Sequence, residues 1–146
     1  MKVFTGKKIG RVFFIRIDLG DDVADCIEQF IAEHNVVNGI VTSAIGTLSS
    51  GVIHHINSTT STVYPASRDY TRLENKPLEV CSIDGLIVDG KSHLHTVIAD
   101  GDHTYAGHLH QGCKSLYVFE MAVLEVEDMD VTRKLNKDGR PHLENR

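Results

Sequence analysis

The chain of 146 residues contains no tryptophan, few prolines and only three cysteines. Because Cys26, Cys81 and Cys113 form no Cys-x-x-C pair, the sequence excludes a zinc ribbon and a thioredoxin-like dithiol. We interpret all three as free thiols in a reducing compartment. The sequence also lacks an apolar run long enough to span a membrane, and its N-terminus lacks the apolar core of a signal peptide. We therefore predict a cytoplasmic protein without a membrane partner.

The sequence also has no excess of positive charge. The 15 lysine and arginine residues are outnumbered by 20 aspartate and glutamate residues, which gives a formal net charge of −5. This balance argues against an extended basic surface that would bind nucleic acid through its phosphates.

Residues 132–146 depart from this balance, with five basic side chains against two acidic ones. We predict a domain over residues 1–131, followed by a polar, partly ordered C-terminal tail over residues 132–146. A basic tail on an acidic body could touch DNA phosphates weakly, although a solvated tail is the simpler interpretation. The candidate DNA contacts in the tail are Arg133, Lys134, Lys137 and Arg140.

One helix is predicted early in the chain, over residues 22–34. Its apolar residues recur at helical spacing, so they form one stripe that can pack on a core. Asp21 or Asp22 can cap the first turn, and Asn35 ends the helix. The stripe consists of Val23, Ile27, Phe30 and Ile31.

The rest of the chain is typical of β-strands. Glycines at 46 and 51 predict two short strands within residues 38–57, and residues 57–76 are predicted to form a loop. Residues 114–128 are predicted to form the longest strand, running through the middle of the sheet. One early helix and many later strands predict a single α+β domain, a largely antiparallel β-sheet with one main N-terminal helix packed on it.

Histidine is abundant, with nine in the chain and five of them within residues 91–112. Two His-x-His pairs, His93–His95 and His108–His110, flank a turn signal at residues 100–102. Side chains two apart on a strand share a face, so a hairpin would bring both pairs together. Three or four imidazoles around one point would suit Zn²⁺, with Fe, Ni or Cu as substitutes, and would leave a position for water. The alternative is a polar strand face that binds no ligand.

Four residues outside this stretch are candidates for supporting roles. His54 and His55 are adjacent, so they point to opposite sides of a strand and at most one of them could join the site. Glu120 interrupts an apolar run, and a buried carboxylate there would need a partner. It could accept a hydrogen bond from a ligating imidazole, shuttle a proton, or pair with an arginine in the core. Glu79, on an earlier strand, is a similar candidate.

The stretch "HLHTVIADGDHTYAGHLHQGC" resembles the His-x-His and Gly-His-Leu segment of the PPC domain, the plant-and-prokaryote domain that accompanies AT-hook motifs in plants. The resemblance continues nearly end to end, through "TSAIGTLSS", "LEVCSIDG" and "LYVFEMAVLEV". It implies a compact α+β domain that assembles as a homotrimer and, as in several prokaryotic members, carries a metal ion on His93, His95 and His108. His110 is additional to the family pattern, so a fourth nitrogen ligand is open. Prokaryotic members are commonly labelled DNA-binding proteins, with an unsettled biochemical role.

An AT-hook inserts an Arg-Gly-Arg-Pro core into the minor groove, whereas this chain has Asp138 in place of the first arginine. We interpret residues 138–141 as an ordinary turn. Two functions therefore compete. One is a stand-alone regulatory or DNA-associated module, and the other is a metal-dependent small-molecule-binding protein or hydrolase-like enzyme assisted by Glu120 or Glu79. No Gly-rich phosphate loop, Gly-x-Ser-x-Gly elbow or His-Glu-x-x-His helix specifies a reaction, so the sequence leaves enzymatic activity undecided.

Overall fold

The computed structural model describes residues 1–59 and 68–146. Within these ranges the chain forms nine strands and one helix. Their bounds are β1 Lys8–Arg16, α1 Val23–His34, β2 Gly39–Ile56, β3 Arg68–Leu73, β4 Leu78–Val88, β5 Lys91–Ala99, β6 Thr104–Leu109, β7 Lys114–Glu127, β8 Thr132–Leu135 and β9 Pro141–Glu144. The helix has 12 residues, and no helix in the described part of the chain is long and apolar enough to cross a bilayer.

Seven strands form one antiparallel sheet in the order β1-β7-β2-β4-β5-β6, with β3 paired to β2. The long strand β2 organises this sheet because its two halves have different neighbours. Its first half lies between β4 and β7, and its second half pairs with β3 and β6. The pairing of β6 with β2 closes a ring of four strands, β2-β4-β5-β6.

The predicted α+β class is wrong, because the fold is β-rich, with 59% of the described residues in strands and 9% in the helix. Residues 39–56 form one strand instead of two, since Gly46 and Gly51 lie inside β2 without ending it. A Cβ at Gly46 would lie 2.4 Å from the carbonyl oxygen of Val118, so glycine serves close contact with β7 there. The single short helix is an addition to the sheet. Homotrimer assembly stays a prediction from the resemblance.

The predicted loop over residues 57–76 is only partly a loop. Residues 60–67 lie outside the described residues, whereas residues 68–73 form strand β3, in register with residues 51–56 of β2. The prediction for residues 114–128 was closer, because β7 spans Lys114–Glu127 and is paired on both sides, by β1 and β2. It is not the longest strand, since β2 has 18 residues and β7 has 14.

The predicted helix is confirmed, and its apolar stripe is buried. Asn35 ends the helix in the left-handed conformation with a φ of 52°. The helix stripe packs into one core with the inward-facing sheet residues, among them Leu48, Ile53, Ile83, Ile98 and Phe119, each at most 2% exposed.

Residues 132–146 form a separate two-stranded sheet, in which β8 pairs with β9. Asp89, in the turn between β4 and β5, anchors this hairpin. Its carboxylate accepts hydrogen bonds from the hydroxyl of Thr132, the backbone N–H of Arg133 and the guanidinium of Arg146. These bonds hold β8 close to the start of β5, where the first histidine pair begins.

Asp22 joins the helix to the segment that follows β6. Its Oδ1 accepts hydrogen bonds from the backbone N–H groups of Ala24 and Asp25, which caps the helix. Its Oδ2 accepts a third bond, 2.6 Å long, from the backbone N–H of Gly112. The carboxylate of Asp22 therefore accepts from the N–H groups at the start of the helix and also holds the backbone at Gly112, two residues after His110.

We expect Asp22→Ala to lower the free energy of unfolding by about 2 kcal/mol, because it removes an N-cap and leaves the Gly112 N–H without its acceptor. Urea unfolding monitored by circular dichroism measures this loss. Asp22→Asn keeps a capping oxygen and should lose less. The control is Asp21→Ala. Because the side chain of Asp21 is exposed, this substitution should change the free energy of unfolding by no more than about 0.5 kcal/mol. Equal stability of the Asp22→Ala and Asp21→Ala proteins would contradict the proposed role of this carboxylate.

Candidate metal centre

Strand register brings histidines from three strands to one face of the sheet. His95 on β5 is paired with His108 on β6, and His108 is paired on its other side with His54 on β2. Directly paired residues of antiparallel strands point to the same face, as do residues two apart on one strand. His93 therefore lies on the same face as His95, and His110 lies on the same face as His108.

A glycine next to His108 makes this arrangement possible. A Cβ at Gly107 would lie 2.3 Å from the backbone oxygen of His54, which is a clash with backbone that cannot move aside. Only glycine therefore lets β6 lie this close to β2. The ladder continues past β6, because the N–H of His110 donates to the carbonyl of Val52 at 3.0 Å.

The turn that joins β5 to β6 is held by Asp100, within the turn signal at residues 100–102. Its Oδ1 accepts hydrogen bonds of 2.7 Å from the backbone N–H groups of Asp102 and His103. Its Oδ2 accepts from the hydroxyl of Tyr105 and forms an ion pair with Lys76. This network fixes the hairpin, and with it the pairing of His95 with His108.

The three histidines that the resemblance singles out lie together. One ring nitrogen from each of His93, His95 and His108 lies within 4.8 Å of the other two, and the ring centroids are 5.0–5.5 Å apart. His93 and His95 are exposed and His108 is half-buried, so the cluster opens to solvent. Three imidazoles on one face are a donor set that could hold Zn²⁺.

His110, the candidate fourth ligand, belongs to a different group. It clusters with His54 and His108, again with one nitrogen from each ring within 4.8 Å of the others. His54 is the histidine that the sequence left undecided, and its neighbour His55 is exposed on the opposite side of β2. The pairing of His54 with His108 spans 54 positions of sequence, so no local pattern could have revealed it.

Desolvation lowers the pKa of several of these imidazoles. It lowers the pKa of His108 to about 3, with a further contribution from the adjacent His93 and His54. Burial likewise lowers the pKa of His54 to about 4, and the nearby His110 adds to the effect. The pKa of His93, which is exposed at the rim of the cluster, is also lowered, first by partial desolvation and then by the guanidinium of Arg133. Neutral imidazoles at neutral pH carry the free lone pairs that a metal ion requires.

The two candidate acids do not join the histidines. Glu120 lies on β7 opposite Arg16 and Ile45, and Glu79 lies on β4 opposite Thr47 and Ala99. Both side chains are exposed, so the premise that Glu120 is a buried carboxylate is wrong. It interrupts the apolar run of β7 because alternate residues of that strand face solvent.

The basic residues of the tail are spread over the β8–β9 hairpin. The amine of Lys134 lies 4.0 Å from Glu144, and the guanidinium of Arg140 lies 3.8 Å from Asp138. Lys137 lies in the stretch between the two strands. Arg133 differs from the others, because its guanidinium acts electrostatically on His93.

Residues 4–127 match the family model of the Plants and Prokaryotes Conserved (PCC) domain. A similar solved structure is that of a metal-containing protein from Archaeoglobus fulgidus, which is 27% identical and has a TM-score of 0.78 over 95% of both chains. A Bacteroides thetaiotaomicron protein with a provisional DNA-binding name has a TM-score of 0.76 over 99% of both chains. At 20% identity, that second likeness shows the fold alone.

In sequence the chain is also similar to bifunctional protein GlmU of Synechococcus sp. strain JA-3-3Ab, with 31% identity over 104 residues. The match covers 70% of this chain but 15% of that protein, and a match to the protein of the same name in a second strain covers 18% of its length. The chain therefore spans less than a fifth of the curated relatives that it matches.

The lowered pKa of His54 predicts how the stability of the metal-free protein depends on pH. The unfolded chain binds a proton at His54 below about pH 6.5, whereas the folded chain binds it only near pH 4, so acidification between these values favours unfolding. We expect His54→Gln to reduce the loss of unfolding free energy between pH 7.5 and pH 5 by about 2 kcal/mol. Urea unfolding at both pH values, in the presence of a chelator, measures this difference. His55→Gln serves as the matched control and should lose as much as the parent protein. A His54→Gln protein that remains as acid-sensitive as its parent would contradict the interpretation.

Proposed function

The chain belongs to the Plants and Prokaryotes Conserved (PCC) domain family, and on that premise we propose that it binds Zn²⁺, or another divalent transition metal, through His93, His95 and His108. The observation that carries this proposal is the convergence of three ring nitrogens, one from each of these histidines, to within 4.8 Å of one another. A set of three imidazoles without thiolates suits Zn²⁺ well and admits Fe, Ni or Cu. The metal-containing protein from Archaeoglobus fulgidus supports the proposal by its similarity.

The role of the site is to bind a small anionic molecule at the metal. An ion held by three histidines retains an open coordination position, which supplies Lewis-acid chemistry or a binding point for an anion. The exposed rings of His93 and His95 leave this side of the site open to solvent. The guanidinium of Arg133 lies in electrostatic reach of His93 and is partly desolvated, which strengthens its attraction for an anion.

A hydrolase-like activity has less support than binding. Such an enzyme needs a general base within hydrogen-bond reach of the metal-bound water. The two carboxylates considered for that role, Glu79 and Glu120, lie outside every histidine cluster of the described residues. We therefore propose metal-dependent binding as the function and leave no catalytic role to either acid.

Metal analysis of tag-free protein tests the site. We expect the purified protein to carry a divalent transition metal, and the His93→Ala/His95→Ala variant to carry less of it per chain. Mutation of an outer-shell partner typically lowers metal affinity 10- to 100-fold, and the loss of two ligands should lower it by more. His55→Ala, which removes an exposed histidine from the other side of β2, should retain the full content. Equally low metal in all three proteins, after growth with added zinc, would refute the proposal.

DNA association is a second candidate function. It is favoured by the basic residues of the β8–β9 hairpin and by the name of the Bacteroides thetaiotaomicron protein of the same fold. Against it stand the net charge of −5 and the acidic neighbours of Lys134 and Arg140. Binding of this kind would be weak and independent of sequence, because phosphate contacts carry no base readout.

Gel retardation on random and AT-rich duplexes tests this second candidate. If it holds, retardation appears at 50 mM salt, disappears by 200 mM, and weakens equally on both duplexes in a Lys134→Ala/Lys137→Ala variant. A Lys7→Ala/Lys114→Ala variant, with the same change of charge outside the hairpin, serves as the control. No retardation at 50 mM salt would eliminate direct DNA binding.

A further inference from the structure

A second cluster of imidazoles lies beside the first, on the other side of His108. It consists of His54, His108 and His110, and it shares only His108 with the proposed zinc site. The ring centroids of this second cluster are 4.7–5.0 Å apart, compared with 5.0–5.5 Å in the first. The second cluster is therefore at least as compact as the first.

The ring nitrogens of the second cluster lie close together, with one from each histidine within 4.8 Å of the other two. Nδ1 of His54 and Nε2 of His110 are 2.5 Å apart, which is shorter than an ordinary N–H hydrogen bond. Among the described residues, this contact is the only side-chain hydrogen bond that either ring makes. A hydrogen bond between two rings would account for this pair alone, but it leaves the convergence of His108 on the same place unexplained.

The second cluster is also more enclosed. His54 is only 8% exposed, and the ring of Tyr70 packs against both His54 and His110, with centroids 5.5 and 5.1 Å away. Three imidazoles in such a place normally have acceptors for their N–H groups, because buried polar groups are satisfied. Between described residues, His108 makes no hydrogen bond through its ring, so both of its nitrogens are available as ligands.

We propose that His54, His108 and His110 form a second transition-metal site, and that His108 lies between the two sites as a shared ligand. This site extends the proposed function, since it adds a metal position that does not depend on His93 or His95. The ligand chemistry is the same, three imidazole nitrogens without thiolate, so Zn²⁺ and Cu²⁺ are the ions that fit best.

Simultaneous occupation of both sites has a defined proton balance. Imidazole has two ring nitrogens, one carrying a proton in the neutral form. His108 binds the first ion through its free lone pair, and it binds the second by releasing its N–H proton to water and acting as an imidazolate. The guanidinium groups of Arg68 and Arg72 act electrostatically on His110, so an anionic fourth ligand such as hydroxide would offset their repulsion of a second cation.

Stoichiometry of Zn²⁺ in tag-free, full-length protein tests the inference. The protein is stripped with chelator, loaded with excess Zn²⁺, freed of unbound metal and measured by mass spectrometry of the element. We expect two ions per chain in the parent protein and one in His110→Ala, which is the primary variant because His110 is half-buried and follows the end of β6. His54→Gln should also retain one ion, and circular dichroism in chelator establishes that each variant is folded.

The remaining variants separate this inference from the proposed function. His93→Ala/His95→Ala should keep one ion, His108→Ala should hold less than one, and His55→Ala should hold two. If His110→Ala and His54→Gln, both folded, bind as much Zn²⁺ as their parent, the second site is refuted while the first can stand. If instead the His93→Ala/His95→Ala protein binds as much Zn²⁺ as its parent, while His110→Ala and His54→Gln bind less, the proposed function fails and the second site stands alone.

Discussion

The double pairing of His108 is the constraint on which the site depends. Its strand, β6, lies between β5 and the second half of β2, so its side chain has His95 on one side and His54 on the other. This position exists only because Gly107 has no Cβ to collide with the backbone of β2. The closure of the strand ring therefore places His54 beside His108, whereas the β5–β6 hairpin places His95 beside it.

Burial divides the histidines into two kinds. Those nearer the ring closure, His54 and His108, are desolvated enough that their pKa values fall far below the ordinary range. Those on β5, His93 and His95, remain exposed to solvent. The histidines therefore form a group that is buried at His54 and open to solvent at His93 and His95. Arg133 adds a positive charge at the accessible side, which is consistent with an anion as the approaching ligand.

The number of strands within residues 38–57 was mispredicted because glycine was taken only as a sign of a turn. In a sequence, glycine between apolar residues usually marks a turn, and Gly46 and Gly51 suggested two strands. In the sheet they allow a single strand to run close to its neighbours, and the 18-residue β2 can then serve two different sets of partners. The prediction for Glu120 failed for a related reason. An acid within an apolar run is expected to be buried, and only the strand's neighbours show which of its faces is exposed to solvent.

The sequence by itself determined the features that depend on neighbours in the chain: the helix with its buried stripe, the turn at Asp100, and the His-x-His spacing that places two imidazoles on one strand face. Family membership also followed from the sequence, because the motifs that carry it are contiguous. Only the tertiary structure decided that His54 joins the cluster, that His110 belongs with His54, and that both carboxylates lie apart from it. The physical reason is register: which residues of distant strands face each other depends on backbone pairing and close contacts across the whole sheet, and no local pattern encodes that pairing.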